Sequence, residues 1–232
     1  MSSQTNYTLT NYAEHAESVS HDLVKKYLER DRLTAGQLWR QIKEDIVASE
    51  EGYILFDDTV LDKTHSRKID SVRWQYSGNA HGIIRGIGLV NCVYVNPETK
   101  QFWVIDFRIF DPEKDGKSKV VHVKEMLNNL VNHKQLAFKT VLMDSWYANY
   151  QLMLHIHHLK KRFYCPIKKN RLARSPEGEK YENVTLLTWS EEQLSQGQLV
   201  QLKGMPKEIP LRLFSISIPI TPQVANYGKA IF

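Results

Sequence analysis

Two stretches of this chain carry residues whose types and spacing suit metal-assisted chemistry. Tyr53-Ile54-Leu55-Phe56 runs straight into Asp57-Asp58-Thr59, and Lys139-Thr140-Val141-Leu142-Met143 runs into Asp144-Ser145. Each reads as an apolar strand that delivers a carboxylate and a hydroxyl at its C-terminal end. A carboxylate at the buried end of a strand loses solvation and needs a cation, hydrogen bonds or a metal ion beside it. Asp also opens turns, which is the blander account of Asp57-Asp58 taken alone. Two strands with the same grammar favour the first account: lying side by side and parallel, they bring both carboxylates to one divalent cation.

Two groups of basic residues supply candidate phosphate-binding surfaces. Between Leu159 and Ser175 lie Lys160, Lys161, Arg162, Lys168, Lys169, Arg171 and Arg174, with no acidic residue among them. That density suits nucleic-acid phosphates, although basic residues also favour the negative end of a helix dipole on an ordinary solvated surface. Near the N-terminus, residues 8–31 read as two short amphipathic helices joined by Glu17-Ser18-Val19. Ser20 stands where an N-cap belongs, and Leu23, Val24, Tyr27 and Leu28 recur at helical spacing. This helix-turn-helix pattern leaves Lys25, Lys26 and Arg30 exposed on the second helix, where they suit a DNA groove. Helical hairpins that bind no DNA share the same pattern.

The elements that must position these residues follow from the rest of the chain. At 232 residues, 42% hydrophobic and 25% charged, the composition is that of a globular protein with one large core rather than a disordered chain. No run is long and apolar enough to cross a membrane, and no signal peptide opens the chain, so a cytoplasmic location is expected. Cys92 and Cys165 match no zinc or redox spacing and read as buried thiols. The pattern predicts a helix over 35–47, an exposed polar loop from Leu61 to Tyr76, and strands over 81–95 and 101–110 joined by a turn. A loop over 111–116, a helix over 119–132, the second Asp strand, a helix over 147–159 and a strand over 163–167 follow. Beyond these come short strands at 199–203 and 211–218.

In that order the first three strands form an antiparallel meander, and the helix crosses over to set the fourth strand parallel to the first. With this order between them, the motifs Phe56-Asp57-Asp58-Thr59 and Leu142-Met143-Asp144-Ser145-Trp146-Tyr147 resemble those of a DDE transposase of the insertion-sequence type, over roughly residues 50–232. The resemblance implies an α/β, ribonuclease H-like mixed five-stranded sheet with flanking helices. Residues 1–48 would be a helical DNA-binding segment, 49–182 the catalytic core and 183–232 an incomplete β-rich insertion. It further implies Asp58 and Asp144 as catalytic metal ligands for two Mg²⁺ or Mn²⁺ ions about 3.5 to 4 Å apart. Asp58 is chosen because the family motif sets Asp directly before Thr or Ser. Strand alternation places Asp57 on the opposite face, as the alternative ligand. The implied partner is double-stranded DNA, both transposon ends and target, bound by a homodimer in a nucleoid-associated location, with no membrane.

One departure limits the resemblance. The family's third ligand is a Glu on a downstream helix that also carries Tyr, Arg and Lys, and none of Glu177, Glu179, Glu182, Glu191, Glu192 and Glu208 sits in that pattern. The expectation is therefore a truncated, inactive transposase. A non-catalytic DNA-binding regulator is one rival. Another is a nuclease of the same fold that completes its site with Asp106 or Asp111. Otherwise Asp106 reads as a polar position on an exposed strand face.

Overall fold

The computed structural model describes residues 12–14, 16, 19–30, 33–66, 68–216 and 230–231. The main sheet is built from β1 (Tyr53–Asp62), β2 (Arg73–Ser77), β3 (Gly82–Asn96), β4 (Gln101–Phe110), β5 (Thr140–Met143) and β6 (Arg162–Tyr164). β1 is antiparallel to β3 and parallel to β5, β5 is parallel to β6, and β4 is antiparallel to β3. The resulting order, β4-β3-β1-β5-β6, is the mixed five-stranded, ribonuclease H-like sheet that the resemblance implied. The short β2 is an addition. It pairs with the start of β3 on the edge that β4 occupies further along.

Helices α1 (His21–Arg30) and α2 (Ala35–Ile42) precede the sheet. A single turn, α3 (Pro112–Asp115), leads into α4 (Lys119–Asn132), which crosses between β4 and β5; α5 (Tyr150–His158) joins β5 to β6. Ser118 caps α4 by accepting from the Val121 N–H at 3.3 Å. Val123, Met126, Leu127 and Leu130 then recur at the spacing of one helical face, and all four are buried. Asn149 caps α5 in the same way, and Leu152, Met153 and Ile156 are buried. These side chains form one core with Ile54 and Phe56 of β1 and Val90, Cys92 and Tyr94 of β3.

A smaller antiparallel sheet follows α5, formed by β7 (Leu172–Arg174), β8 (Glu182–Asn183), β9 (Gln198–Leu202) and β10 (Leu211–Leu213), with α6 (Glu191–Gln196) before β9. Ala173, Val200, Leu202 and Leu213 tie it to the same core. β11 (Ser215–Ile216) pairs with β12 (Ala230–Ile231). The first of the two short N-terminal helices lies mostly outside the described residues, as do Ser217 and Ile218 of the last expected strand.

Several boundaries differ from expectation for identifiable reasons. The expected loop from Leu61 to Tyr76 is partly strand, because β3 is long enough to ladder with β1 out to Asp62 and with β2. Gly86 permits this: a Cβ there would collide with the Leu61 carbonyl oxygen. The helix expected to reach Val47 stops at Ile42, and the Asn96 side-chain amide captures the Val47 carbonyl at 2.8 Å instead. β6 stops at Tyr164, two residues before Pro166, which has no N–H to give a ladder.

Asp106 is the main correction. It is 1% exposed, not a polar position on an open face. A bulge opposite Cys92 and Val93 inserts an extra residue into β4, so that Ile105 and Asp106 both point inward.

Candidate active site

Asp144 follows the last residue of β5, and its carboxylate closes the chain into a turn. Oδ1 accepts from the backbone N–H groups of Trp146, at 2.8 Å, and Tyr147, at 3.3 Å. That capture explains why α5 begins at Tyr150 rather than Tyr147. On the neighbouring strand the parallel register runs Tyr53 to Thr140 through Phe56 to Met143. The next residues along the two strands are Asp57 and Asp144.

Strand alternation puts Asp58 on the face of Ile54 and Phe56, beneath the helices, where it is half-buried. Its Oδ1 accepts from the Tyr147 hydroxyl at 3.3 Å. Tyr147 therefore donates to Asp144 through its backbone and to Asp58 through its side chain, and joins the two carboxylates through one residue. Tyr147 is fully buried. Burial first, and then the three carboxylates of Asp58, Asp144 and Asp57, push its phenol far above the ordinary tyrosine range, so it remains a donor.

The second oxygen of Asp58 takes the ammonium of Lys119, the first residue of α4. Lys119 Nζ also lies 5.3 Å from the Phe110 ring centre and 5.4 Å from that of Trp146. Asp57 faces the other way and is exposed as a residue. Its carboxyl is nonetheless raised above the ordinary Asp range, first by partial burial of the group and then by Asp58 and Asp144, against the lowering effect of the Asp58 N–H and of Lys119.

These carboxylates are the hard oxygen donors that Mg²⁺ and Mn²⁺ prefer, and they gather at the C-terminal ends of adjacent parallel strands. Asp144 Oδ2 has no donor among the described residues, whereas both oxygens of Asp58 are engaged. The donor set fits a divalent cation at Asp144, and at Asp58 once Lys119 yields its place. No cluster of three or more His, Cys, Asp or Glu able to hold a metal ion occurs among the described residues.

The two acidic residues held in reserve for a nuclease site are committed elsewhere. Asp106 is ion-paired with Arg108 and with Lys134, the latter at 3.1 Å, and Asp111 lies 3.6 Å from Arg73. Sequence reasoning missed Lys119 and the Tyr147 hydroxyl. Lys119 reads only as a helix start, and nothing local reveals that a tyrosine of the second motif reaches the first.

The basic run divides by environment. Lys161 donates to the Phe138 carbonyl at 2.6 Å, Arg171 to the Ala148 carbonyl at 2.6 Å, and Arg174 to the Gly178 carbonyl while lying over the Tyr181 ring. Lys160 closes the end of α5 with a positive φ of 57°. Lys160, Arg162, Lys168 and Lys169 are exposed. On α1, Ser20 accepts from the Leu23 N–H at 3.2 Å as the expected cap, and Lys25, Lys26 and Arg30 are exposed. Cys92 and Cys165 are free and buried, and burial pushes the Cys165 thiol up to about 12.

No family model matches the sequence, and no match was found among curated proteins. Solved structures that are similar in part include three transposase complexes. One is the piggyBac transposase in a synaptic complex with hairpin DNA, at a TM-score of 0.35 and 11% identity over 66% of this chain and 31% of that one. The Mos1 transposase in a paired-end complex with its left transposon end gives a TM-score of 0.28 at 15% identity, over 69% of this chain and 54% of that one. A pre-cleavage Mos1 transpososome gives 0.26 at 14% identity, over 69% and 55%. This chain thus spans about a third of the first and just over half of the other two.

Proposed function

We propose that this chain is the carboxylate-bearing, DNA-binding part of a transposase, of the DDE insertion-sequence type, acting on phosphodiesters at transposon ends. The observation that carries this reading is Tyr147, which joins Asp58 and Asp144 at the C-terminal ends of two parallel strands. Asp58 and Asp144 are the proposed ligands, with Asp57 as the alternative to Asp58. A pair of bound Mg²⁺ or Mn²⁺ ions would activate the attacking oxygen and stabilise the leaving oxygen of an in-line displacement. Asp144 and Asp58, or Asp57 in its place, would hold and orient those ions, and Tyr147 holds the two strands' carboxylates in register.

A third carboxylate is needed for full activity, and no described glutamate joins these aspartates. We therefore read the described residues on their own as supporting little or no strand cleavage. Double-stranded DNA is the proposed partner, held through Lys160, Arg162, Lys168 and Lys169 and through α1, with a homodimer on DNA as the working assembly and the nucleoid as its location.

Binding to duplex DNA should fall steeply with salt, and Lys168→Ala with Lys169→Ala should flatten the dependence of log affinity on log salt by about 2, close to 0.9 per lost phosphate contact. For the metal site, millimolar Mn²⁺ should raise the melting temperature, and Asp144→Asn should abolish the shift. A shift that survives Asp144→Asn and Asp58→Asn would overturn the reading.

A further inference from the structure

Lys119 sits where helix physics disfavours a cation. It is the first residue of α4, next to the Ser118 cap, at the positive end of the helix dipole, and the first turn of α4 contains no acidic residue. What compensates it comes from outside the helix: the Asp58 carboxylate and the faces of Phe110 and Trp146. The pair is largely enclosed, with the lysine side chain 12% exposed and the aspartate 22%. A divalent cation and this ammonium compete for the Asp58 carboxylate: Lys119 takes Oδ2, and the Tyr147 hydroxyl lies 3.3 Å from Oδ1.

We propose that Lys119 is a tethered counter-ion that holds Asp58 in the metal-free protein, that a divalent cation displaces it, and that the displaced ammonium then binds a phosphate of the DNA. The inference rests on the reading of Asp58 and Asp144 as metal ligands. Two consequences follow from charge alone. Removing the ammonium removes a competitor, so the site should bind metal more tightly. Metal binding frees a cation beside the site, so metal and DNA should strengthen each other's binding by the same factor, as linkage requires.

The test titrates Mn²⁺ against the 232-residue chain, read by thermal shift and by the electron paramagnetic resonance of free Mn²⁺, with and without duplex DNA. Lys119→Met should bind Mn²⁺ several-fold more tightly than the parent, and Mn²⁺ should no longer raise its affinity for DNA. Lys119→Arg, which keeps the charge, should retain both parental behaviours. Unchanged or weaker Mn²⁺ binding in Lys119→Met overturns the proposal. If that variant does not fold, the parent chain still decides: acylation of Lys119 by an amine-reactive ester, followed by mass spectrometry, should speed up when Mn²⁺ is added, and an unmoved rate overturns the proposal. Mn²⁺ binding that survives both Asp58→Asn and Asp144→Asn instead removes the metal site itself, an outcome distinct from an indifferent Lys119.

Discussion

The two faces of the main sheet have different surroundings although they share every strand. Beneath α4 and α5, Ile54, Phe56, Val90, Cys92 and Tyr94 are buried almost completely. On the reverse face Leu55, Leu89, Val93 and Val95 are only half-buried, and Phe102, paired with Val95, is 71% exposed. Asp57 and Asp58, adjacent in the chain, fall on opposite sides of this division. The covered face also holds Asp106, and α4 serves both of its carboxylates: Lys119 at the start of the helix pairs with Asp58, and Lys134, just past its end, pairs with Asp106. Depth separates the two roles. Asp106 has two cations, with the Asn129 amide 3.5 Å away, and no route to solvent, whereas Asp58 has one cation, one phenol and an opening.

Among the carboxylates the largest effect should therefore come from Asp106, not from the candidate catalytic residues. Asp106→Ala leaves Lys134 buried, with 6% exposure and no countercharge, and should cost about 3–5 kcal/mol in urea unfolding. Asp58→Ala should cost clearly less. Equal costs would erase the distinction between a carboxylate that holds the fold and one available for chemistry.

The next effect sharpens the choice between faces. At Mn²⁺ a hundredfold above its Kd, binding should stabilise the chain by about 2.7 kcal/mol. Asp57→Asn and Asp58→Asn, compared in the same melts, assign the first ligand to the open or the covered face according to which one removes that gain.

How far these differences were legible depended on whether their cause was local. The bounds of α4 and β4 are written in the chain, through Ser118, the apolar period from Val123 to Leu130, and the turn before Gln101. The parallel pairing of the two Asp strands followed from the order of elements. Asp106 was misread because alternation assumes an uninterrupted ladder, and a bulge is a property of two strands together. Lys119 and the Tyr147 hydroxyl meet Asp58 across 61 and 89 residues of chain, which no spacing rule spans. The basic run likewise hid which cations are committed to carbonyls, since Arg171 and Lys168 look alike until the fold places Ala148 beside one of them.

A smaller effect concerns His122, on the covered face and buried, with Nδ1 lacking a hydrogen-bond partner among the described residues and Nε2 near the Asp115 carboxylate without a well-directed hydrogen bond to it. Burial lowers its pKa below the ordinary 6.5, and this outweighs the opposite pull of Asp115, whose Oδ2 lies 3.3 Å from Nε2. The folded chain then takes up this proton less readily than the unfolded chain. Stability is fully present above 6.5 and is lost as pH falls through the lowered folded value. His122→Leu should flatten the pH dependence of the melting temperature between neutral and mildly acidic conditions, and an unchanged profile would assign that loss to other groups.

The smallest effect is the most direct check on the two-face comparison. Phe102 projects from β4 on the open side, where its ring contributes little buried area, so Phe102→Ser should change stability by no more than about 0.5 kcal/mol. Phe56, on the facing side of β1 and 1% exposed, sets the opposite limit: Phe56→Ala removes a ring packed beneath the helices and should cost about 3–5 kcal/mol. The contrast does not depend on the metal or on DNA, because both variants are compared as apo protein in the same denaturant series. A cost at Phe102 approaching that at Phe56 would mean that the open face is covered in solution, by another copy or by residues outside those described. Asp57 would then lie at the edge of a buried surface rather than in water, and the case for a ligand on that side would have to be argued again from its new neighbours.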